Sequence, residues 1–351
     1  MLTARVELDQ AQKGVSMSLT AADWPIAASL LQFPGVKADA TVVQDADSAE
    51  WVATFTEVAA AGFKHVELTD TWIRPGDLSP ARLDELKSAA ASAGVGLPAI
   101  SAVRHSVIDA RNGDANLAYS HRTLDAAARL GVRVVSLGLH QALTPEQQKQ
   151  LWFWTVEGYK DPVGDRRTWD LAVSRFCELG RHGGEVGVLV SLELYEDTYL
   201  GTAESAVRLV GDIGLDDVGL NTDIGNLIRL HRPVEDWRML MHETLPYANY
   251  WHVKNYSRDQ DLARDLFVAV PAPMELGVIS YREAIHYAIS VGYQGIFCTE
   301  HYGGDGLSVS ASNQQYLREK ILPKADGYRL GVSRVKQTGP IETTAASAAA
   351  P

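Results

Sequence analysis

The stretch VGVLVSLELYEDTYLGTAESAVRLVGDIGLDDVGLNTD, residues 186–223, decides the fold class of this chain. It begins with an apolar run that ends at Glu193, continues through apolar residues at helical spacing, and closes with a second apolar run that ends at Asp223. A strand, an amphipathic helix and another strand of this length form one unit with parallel strands. The stretch therefore predicts an α/β protein whose strands end in carboxylates.

The same unit recurs on both sides of this stretch. A helical segment, a glycine that ends it and a β-rich apolar run repeat between residues 47 and 300, and IAASLL at residues 26–31 supplies the first of eight strands. The runs are continuous rather than alternating, which is typical of strands covered by helices on one face and by a barrel interior on the other. The sequence predicts a single-domain (β/α)8 TIM barrel.

The predicted organisation has three parts. Residues 1–25 form an N-terminal extension, residues 26–334 form the catalytic barrel, and the small and polar residues 335–351 form a tail that we expect to be disordered. Two long βα-loop insertions interrupt the barrel, at residues 141–168 after strand four and at residues 256–279 after strand seven. Both follow strands, so we expect them on the face where such barrels build their active sites.

Composition restricts the class of partner. The 351 residues include 32 Lys and Arg against 44 Asp and Glu, a formal net charge of −12, so a nucleic acid would meet net repulsion. No run reaches the ~18 uninterrupted apolar residues of a membrane-spanning helix, and the N-terminus lacks the pattern of a secretory signal. We expect a cytoplasmic oligomer that acts on a small molecule, with neither nucleic acid nor membrane as a partner.

Four strand ends carry side chains that suit a metal ion: Glu193, Asp223, His252 and Glu300. Taken singly, each has an ordinary explanation, because a strand-end carboxylate can pair with a Lys and a His can be a satisfied core residue. Taken together on one rim, the carboxylates would repel one another unless a cation neutralised them. A hard divalent ion takes such oxygen ligands with one imidazole. We expect Mn²⁺, with Mg²⁺ and Co²⁺ as alternatives.

The phrases around these residues resemble a known family. LELYED, LNTDIGN, WHVKN and CTEHYGG, in this order between about residues 50 and 322, resemble the xylose-isomerase-like α/β barrel superfamily of sugar isomerases and epimerases. The resemblance implies that one metal ion is held by the four strand ends Glu193, Asp223, His252 and Glu300. It also implies that two of these, Glu193 and Glu300, act as acid and base. The family's usual Asp after the strand-seven Lys is Asn255 here, which leaves that role in doubt.

A divalent metal can stabilise the enediolate that forms when a base removes a proton beside a sugar carbonyl. His140, which ends strand four, is a competing candidate for this base, because a carboxylate bound to a metal is held ionised. Further candidates for contacts with the substrate are His105, Lys254, His301, Trp152 and Trp154. Lys254 could instead pair with a ligand carboxylate. For the two tryptophans, a loop packed on its own aromatic residues is an equally good interpretation.

Within the superfamily, the segment LHQALTPEQQKQLWFWTVEGYKDP at residues 139–162 and HVELTDTWIRPGD at residues 65–77 resemble the catalytic subunits of bacterial C-glycoside deglycosidases. That resemblance implies a carbon–carbon lyase acting on 3-oxo-C-glycosides. Loss of the C2 proton beside the C3 carbonyl would expel the aryl carbon from C1. The resemblance also implies a small β subunit as a partner, and therefore a hetero-oligomer.

Three other functions compete with this hypothesis. A ketose or inositol-derived isomerase or epimerase would use the same metal ligands and simply return the proton. A nuclease of the apurinic-site branch would need further ligands for a metal cluster and a basic groove, neither of which is evident in the sequence. An inactive barrel that serves as a scaffold would not require the four ligands at all.

Overall fold

The computed structural model describes residues 18–341 of the chain. Within that range the strands are β1 Ile26–Ser29, β2 His65–Thr69, β3 Gly96–Ala102, β4 Val134–Leu137, β5 Leu189–Glu193, β6 Val218–Asn221, β7 Ala248–Val253, β8 Asn255–Asp261, β9 Leu266–Ala272 and β10 Ile296–Thr299. Eight of them are parallel and close into a barrel, in which β10 lies between β7 and β1. The predicted TIM barrel, including its first strand, is confirmed.

Helices follow the barrel strands and cover the outside. They are α1 Ser48–Ala60, α2 Pro80–Ser92, α3 Gly113–Leu130, α4 Arg166–Val186, α5 Ala203–Ile213, α6 Gly225–Ile228, α7 Trp237–Thr244, α8 Tyr281–Ser290 and α9 Gly306–Tyr316. Among the described residues, no helix is both long and apolar enough to cross a membrane.

Glycines end several helices, as the repeat in the sequence predicts. Gly131 after α3 and Gly187 after α4 have φ values of 82° and 75°. Their amides donate to carbonyls of the last helical turn. This left-handed conformation is accessible to glycine without the steric cost that a Cβ brings. The chain therefore turns sharply at these points and enters the next strand.

Neighbouring residues of a strand serve two different layers. In β4, Val134 belongs to a cluster inside the barrel, whereas Val135 belongs to the layer between strands and helices. The interior cluster is small and consists of the buried side chains Ala27, Ala99, Val134, Tyr250, Ile296 and Cys298. Because side chains alternate along a strand, one apolar run fills both layers.

The two predicted insertions take different forms. Residues 141–168 contain two short 3₁₀ turns, Gln147–Lys149 and Phe153–Thr155, and no strand. The second insertion forms an antiparallel hairpin of β8 and β9. Asn255 fastens the base of that hairpin, because its Nδ2 donates to two backbone carbonyls, each at 2.9 Å. The side chain that departs from the family pattern therefore has a structural role here.

The C-terminal segment differs in part from the disordered tail that we expected. Residues 335–341 lie against the barrel, where the side chain of Val335 is buried in the core and the amide of Lys336 donates to the Asp216 carbonyl at 2.8 Å. Apolar contact and backbone hydrogen bonding hold this piece in place. The remainder of the predicted tail, residues 342–351, lies outside the described residues, as do residues 1–17 of the predicted N-terminal extension.

Candidate metal centre and active site

The four candidate metal ligands converge at the mouth of the barrel. Nδ1 of His252 lies 3.3 Å from Oε2 of Glu193 and 3.7 Å from Oδ2 of Asp223. The same nitrogen lies 3.5 Å from Oε2 of Glu300. Two ligands at ~2.1 Å from an ion and at right angles to each other are about 3.0 Å apart. The observed separations are therefore close to those of neighbouring positions around one divalent cation.

Two orphaned atoms support this fit. Nδ1 of His252 and Oδ1 of Asp223 are buried, and neither has a hydrogen-bond partner in the described part of the chain. A buried polar atom without a partner costs about 1–3 kcal/mol. A cation between these side chains would remove that cost for the imidazole nitrogen. The donor set of three carboxylates and one imidazole also suits a hard divalent ion.

The ring of His252 is held by Glu67, a residue that the sequence analysis missed. Nε2 of His252 lies 2.5 Å from Oε2 of Glu67, whose carboxylate also accepts from Ser29 Oγ at 3.0 Å and from the Tyr250 hydroxyl at 2.5 Å. Because a carboxylate accepts, Nε2 carries the hydrogen and Nδ1 keeps its lone pair for an ion. A Glu inside the apolar run HVEL was the available signal.

A second group of buried side chains with possible ligand atoms does not suit a metal ion. Glu67, His252 and Cys298 also bring donor atoms close together. The 2.5 Å contact between Glu67 and His252 is a direct hydrogen bond and leaves no room for a metal between the two groups. Burial raises the pKa of the Cys298 thiol well above its ordinary value, so this thiol stays protonated and is a poor ligand.

Lys254 pairs with two of the candidate metal ligands. Its Nζ donates to Oδ2 of Asp223 at 2.6 Å and to Oε2 of Glu300 at 2.8 Å, and the side chain is buried. Burial alone would lower the pKa of Lys254, but these two carboxylates raise it well above its ordinary value. The ammonium group thus balances charge among the ligands. The contact with a substrate that the sequence suggested for Lys254 stays a prediction.

Glu193 is surrounded by charged and amide groups at the mouth. Burial, with a further contribution from the charge of Asp223, raises the pKa of Glu193 to about 8, while His252 acts in the opposite direction. Nδ2 of Asn221 and Nδ2 of Asn226 each donate to its carboxylate at 3.1 Å. A divalent cation at this position would favour the ionised carboxylate.

His140, the competing candidate for the base, lies beside Glu193. Its ring is buried, stacks on Tyr195 at a centroid distance of 3.5 Å, and places Nε2 at 3.4 Å from Oε1 of Glu193. Burial, reinforced by the positive charges of Arg104 and Arg229, lowers the pKa of His140 well below its ordinary value. The imidazole is therefore neutral, and its Nδ1 has no hydrogen-bond partner among the described residues.

The space in front of these groups is small. A cavity of about 50 Å³ is lined by side chains from several strand ends, among them Glu193, His252, Glu300, His140, Arg104, Tyr195 and Tyr302. This volume holds no more than a few water molecules. A larger cavity of about 530 Å³ lies outside the mouth, beside Trp169 and Arg232, and none of the candidate site residues lines it. The chemistry therefore points to the smaller cavity.

The two tryptophans expected at the substrate lie in a packed aromatic cluster. Trp154 is buried, stacks on Trp152 at 5.0 Å and meets Tyr302 edge-on at 5.1 Å. Beneath them the guanidinium of Arg229 lies 4.7 Å from the Trp154 ring and pairs with Glu196 at 3.0 Å. The first insertion is thus fixed over the mouth, and the aromatic walls of the cavity are tyrosines.

The other two candidate substrate contacts lie at the edge of the mouth. Nε2 of His105 pairs with Oδ2 of Asp70 at 2.9 Å, and Asp70 lines the cavity. His301 is half-buried, and burial lowers its pKa. Neither histidine is among the residues that line the cavity.

Arg104 lines the cavity and was not anticipated from the sequence. Its guanidinium donates to the Tyr195 hydroxyl and to the Gln141 carbonyl, both at 3.3 Å. Among the described residues, it forms no ion pair with a carboxylate. Nothing in the local sequence distinguishes this arginine from a solvent-exposed one. A positive charge with only neutral partners is therefore available to a bound molecule.

Comparison with known proteins gives a family. The model of the xylose isomerase-like TIM barrel family matches residues 55–322. A structure described as a xylose isomerase-like TIM barrel protein from Mycobacterium smegmatis in complex with magnesium is 43% identical, with a TM-score of 0.82 over 86% of this chain and 97% of that chain. No curated protein matches.

Other solved structures share the fold at low identity. A 3-keto-D-glucoside 4-epimerase from E. coli is 14% identical, with a TM-score of 0.57 over 84% of this chain and 98% of that chain. A D-psicose 3-epimerase from Clostridium cellulolyticum H10 is 15% identical, with a TM-score of 0.56 over 84% of this chain and 96% of that chain. These similarities concern the fold.

Proposed function

The chain belongs to the xylose isomerase-like TIM barrel family, and from this premise we propose that it is a divalent-metal-dependent enzyme that removes a proton beside the carbonyl of a sugar. One observation carries the proposal. Glu193, Asp223 and Glu300 each direct a carboxylate oxygen to within 3.7 Å of His252 Nδ1, at the mouth of the barrel. Buried like charges are arranged in this way around a cation.

The metal would supply one function and the protein the others. When bound by the four ligands, the ion would polarise a carbonyl and offset negative charge on its oxygen. Lys254 keeps the ligand set close to neutral, and Glu67 holds His252 in the orientation that ligation requires. The magnesium in the Mycobacterium smegmatis relative supports a hard divalent ion, and the ligand set is equally suited to Mn²⁺.

We assign the proton transfer to His140. Its Nε2 lies 3.4 Å from Oε1 of the candidate ligand Glu193, the residue lines the cavity, and histidine is the side chain that most often transfers a proton in such reactions. The carboxylates of Glu193 and Glu300 would be engaged by a bound ion. They remain candidates for the return of a proton on the opposite side of the substrate. His140 and the carboxylates thus divide the roles of base and acid.

The finer proposal is cleavage of a 3-oxo-C-glycoside. The proton at C2 passes to the base, the C1–aryl bond breaks, and its electron pair remains on the aryl carbon, which takes up a proton. No net oxidation occurs, and the products are an unsaturated keto sugar and the aglycone. Tyr195 and Tyr302 supply aromatic walls, and Arg104 supplies a cation that suits an acidic phenol of the aryl group.

An epimerase or isomerase is the second candidate. Either substrate would require the cavity of about 50 Å³ to widen, and a free ketose, which is smaller than an aryl glycoside, would require the smaller displacement of the first insertion. The fold-level similarity to the 3-keto-D-glucoside 4-epimerase is compatible with either candidate, since both act on keto sugars.

The experiment tests proton abstraction, which both candidate functions share, separately from cleavage of the C-glycoside. Protein treated with a chelator and reloaded with Mn²⁺, Mg²⁺ or Co²⁺ is incubated in D₂O with a 3-oxo-C-glucoside and, separately, with free ketoses. Deuterium entering the carbon beside the carbonyl supports proton abstraction, release of the aglycone supports cleavage, and new epimers support the alternative. Exchange at the full rate in metal-free protein would overturn the proposal as a whole.

We also propose a second, small polypeptide as a partner of the cleavage reaction. This rests on the resemblance of residues 139–162 to deglycosidase catalytic subunits. The measurement is the mass of the native complex isolated from its own cells. A complex made only of this chain that still cleaves the glycoside would remove the partner from the proposal.

A further inference from the structure

Two histidines on neighbouring outer helices face each other, away from the barrel mouth. His121 of α3 and His182 of α4 bring their Nδ1 atoms to 2.8 Å from each other. The side chains are 26% and 21% exposed, so an ion in solution can reach them. They come from different elements, and neither takes part in the proposed reaction.

Each imidazole is held by a carboxylate of the opposite helix. Nε2 of His121 lies 2.9 Å from Oε1 of Glu178, and Nε2 of His182 lies 3.0 Å from Oδ1 of Asp125. The arrangement is reciprocal, because each helix contributes a histidine and a carboxylate four residues apart. Such residues share one face of a helix.

The carboxylates determine which nitrogen is free to bind. An ionised carboxylate only accepts, so each Nε2 carries its hydrogen and each Nδ1 presents a lone pair. Two lone pairs that face each other at 2.8 Å require a cation between them, either a proton or a metal ion. Imidazoles fixed by carboxylates in this way are the usual ligands of borderline metal ions in proteins.

We propose that His121 and His182 form a second metal site, selective for a borderline transition ion, with Zn²⁺ as the expected occupant. Asp125 and Glu178 orient the two ligands, and water completes the coordination. Their two negative charges balance the two positive charges of the ion. A bound ion would link α3 to α4 on the outside of the barrel.

The dimensions agree with a tetrahedral ion. At a Zn–N distance of about 2.05 Å, two nitrogens are about 3.3 Å apart and the ring centroids about 5.2 Å apart. The present centroid separation is 5.0 Å. The rings therefore need only tilt, which opens the contact between the nitrogens by about 0.5 Å while the ring centres stay in place. No movement of either helix is required.

The test counts zinc bound to untagged, chelator-treated protein by elemental analysis after equilibrium dialysis. The wild-type chain should bind two equivalents, whereas His121→Ala and His182→Ala should each bind one and keep their catalytic activity. His286→Ala, which removes an exposed histidine on α8, is the matched control and should still bind two. An equal zinc content in His182→Ala and the wild type would overturn the proposal, and a proton would then occupy the gap.

A second measurement isolates the outer site from the mouth. In His252→Ala, where the mouth loses its only imidazole ligand, Cu²⁺ should give an electron paramagnetic resonance spectrum with coupling to two nitrogens. Adding Asp125→Asn and Glu178→Gln should weaken Zn²⁺ binding about 10- to 100-fold without abolishing it. Coupling to fewer than two nitrogens, or unchanged affinity in the carboxylate variants, would contradict the assignment whether or not the proposed reaction is correct.

Discussion

The mouth of the barrel and the interior cluster beneath it, which we call the lower layer, are built from the same strands but differ in chemistry. In β10, Ile296 lies in the lower apolar cluster, and Glu300 follows the end of the strand at the mouth. In β7, Tyr250 belongs to the lower cluster and His252 to the mouth. The lower layer consists mainly of apolar atoms, whereas the mouth holds buried charges and polar atoms without partners.

Along the barrel axis, the lower layer therefore stabilises the fold, whereas the mouth carries the proposed function. Apolar burial contributes about 25 cal/mol per Å² and requires no partner, so the lower layer stabilises the fold by itself. Burial of a carboxylate opposes folding, and burial is the main cause of the raised pKa of Glu193, to which the charge of Asp223 adds. A region that opposes folding persists when the remaining structure compensates for it and when it binds something. Substitutions in the two layers should therefore have opposite consequences.

The largest effect is expected from the ligand set. Glu193→Gln should remove most of the bound metal and reduce turnover below detection, because one charged ligand is lost and the rest of the fold is untouched. Asp223→Asn, His252→Ala and Glu300→Gln should behave alike. Metal content is measured by elemental analysis and turnover by product formation. Glu185→Gln, an exposed substitution at the end of α4, is the control; full turnover in metal-free Glu193→Gln would contradict the assignment.

His140→Ala should separate proton transfer from metal binding. We expect metal content to remain at the wild-type level and kcat to fall about 10²- to 10⁴-fold, the usual contribution of a general base. Gly138→Ala should also lower kcat, because a Cβ at this position would lie 2.5 Å from His140 Nδ1 and would displace the imidazole. Gly211→Ala, where a Cβ meets no atom within 4 Å, is the control. A wild-type rate in His140→Ala would return this residue to a structural role.

Ile296→Ala tests the lower layer. The substitution should lower the free energy of unfolding by about 2–5 kcal/mol, through lost burial and the cavity left behind, and Ile296→Val by about 0.5–1.5 kcal/mol. Metal affinity of the folded protein should not change. Denaturant unfolding and a metal titration measure the two quantities. A loss of metal affinity in either variant would show that the two layers are not independent.

Glu67 lies at the boundary between the layers, and Glu67→Gln should affect metal binding less than the substitutions of the candidate ligands do. Weaker orientation of His252 should lower metal affinity about 10- to 100-fold, while turnover at saturating metal approaches that of the wild type. Competition with a chelator of known affinity gives the number. Ser29→Ala, which removes one donor to Glu67, should change affinity far less. Unchanged affinity in Glu67→Gln would remove the positioning role.

The sequence was sufficient for the fold and for the grouping of the four candidate metal ligands because both follow from local patterns. Runs such as GIFCTE give a strand and mark the residue at its end, and a parallel barrel places all such ends on one rim. The roles of side chains within the mouth could not be predicted in the same way. Lys254 was expected either to hold a substrate oxyanion or to pair with a ligand carboxylate, and only the structure shows its ion pairs with Asp223 and Glu300.

The barrel and its eight strands could thus be predicted from the sequence, since apolar periodicity and strand-end position are properties of neighbouring residues. Only the tertiary structure decided that Glu67 holds His252, that Arg104 lines the cavity without a charged partner, and that His121 faces His182. These contacts join elements that are far apart along the chain. Their existence depends on strand register and on the rotation of each helix about its axis, which no local pattern specifies.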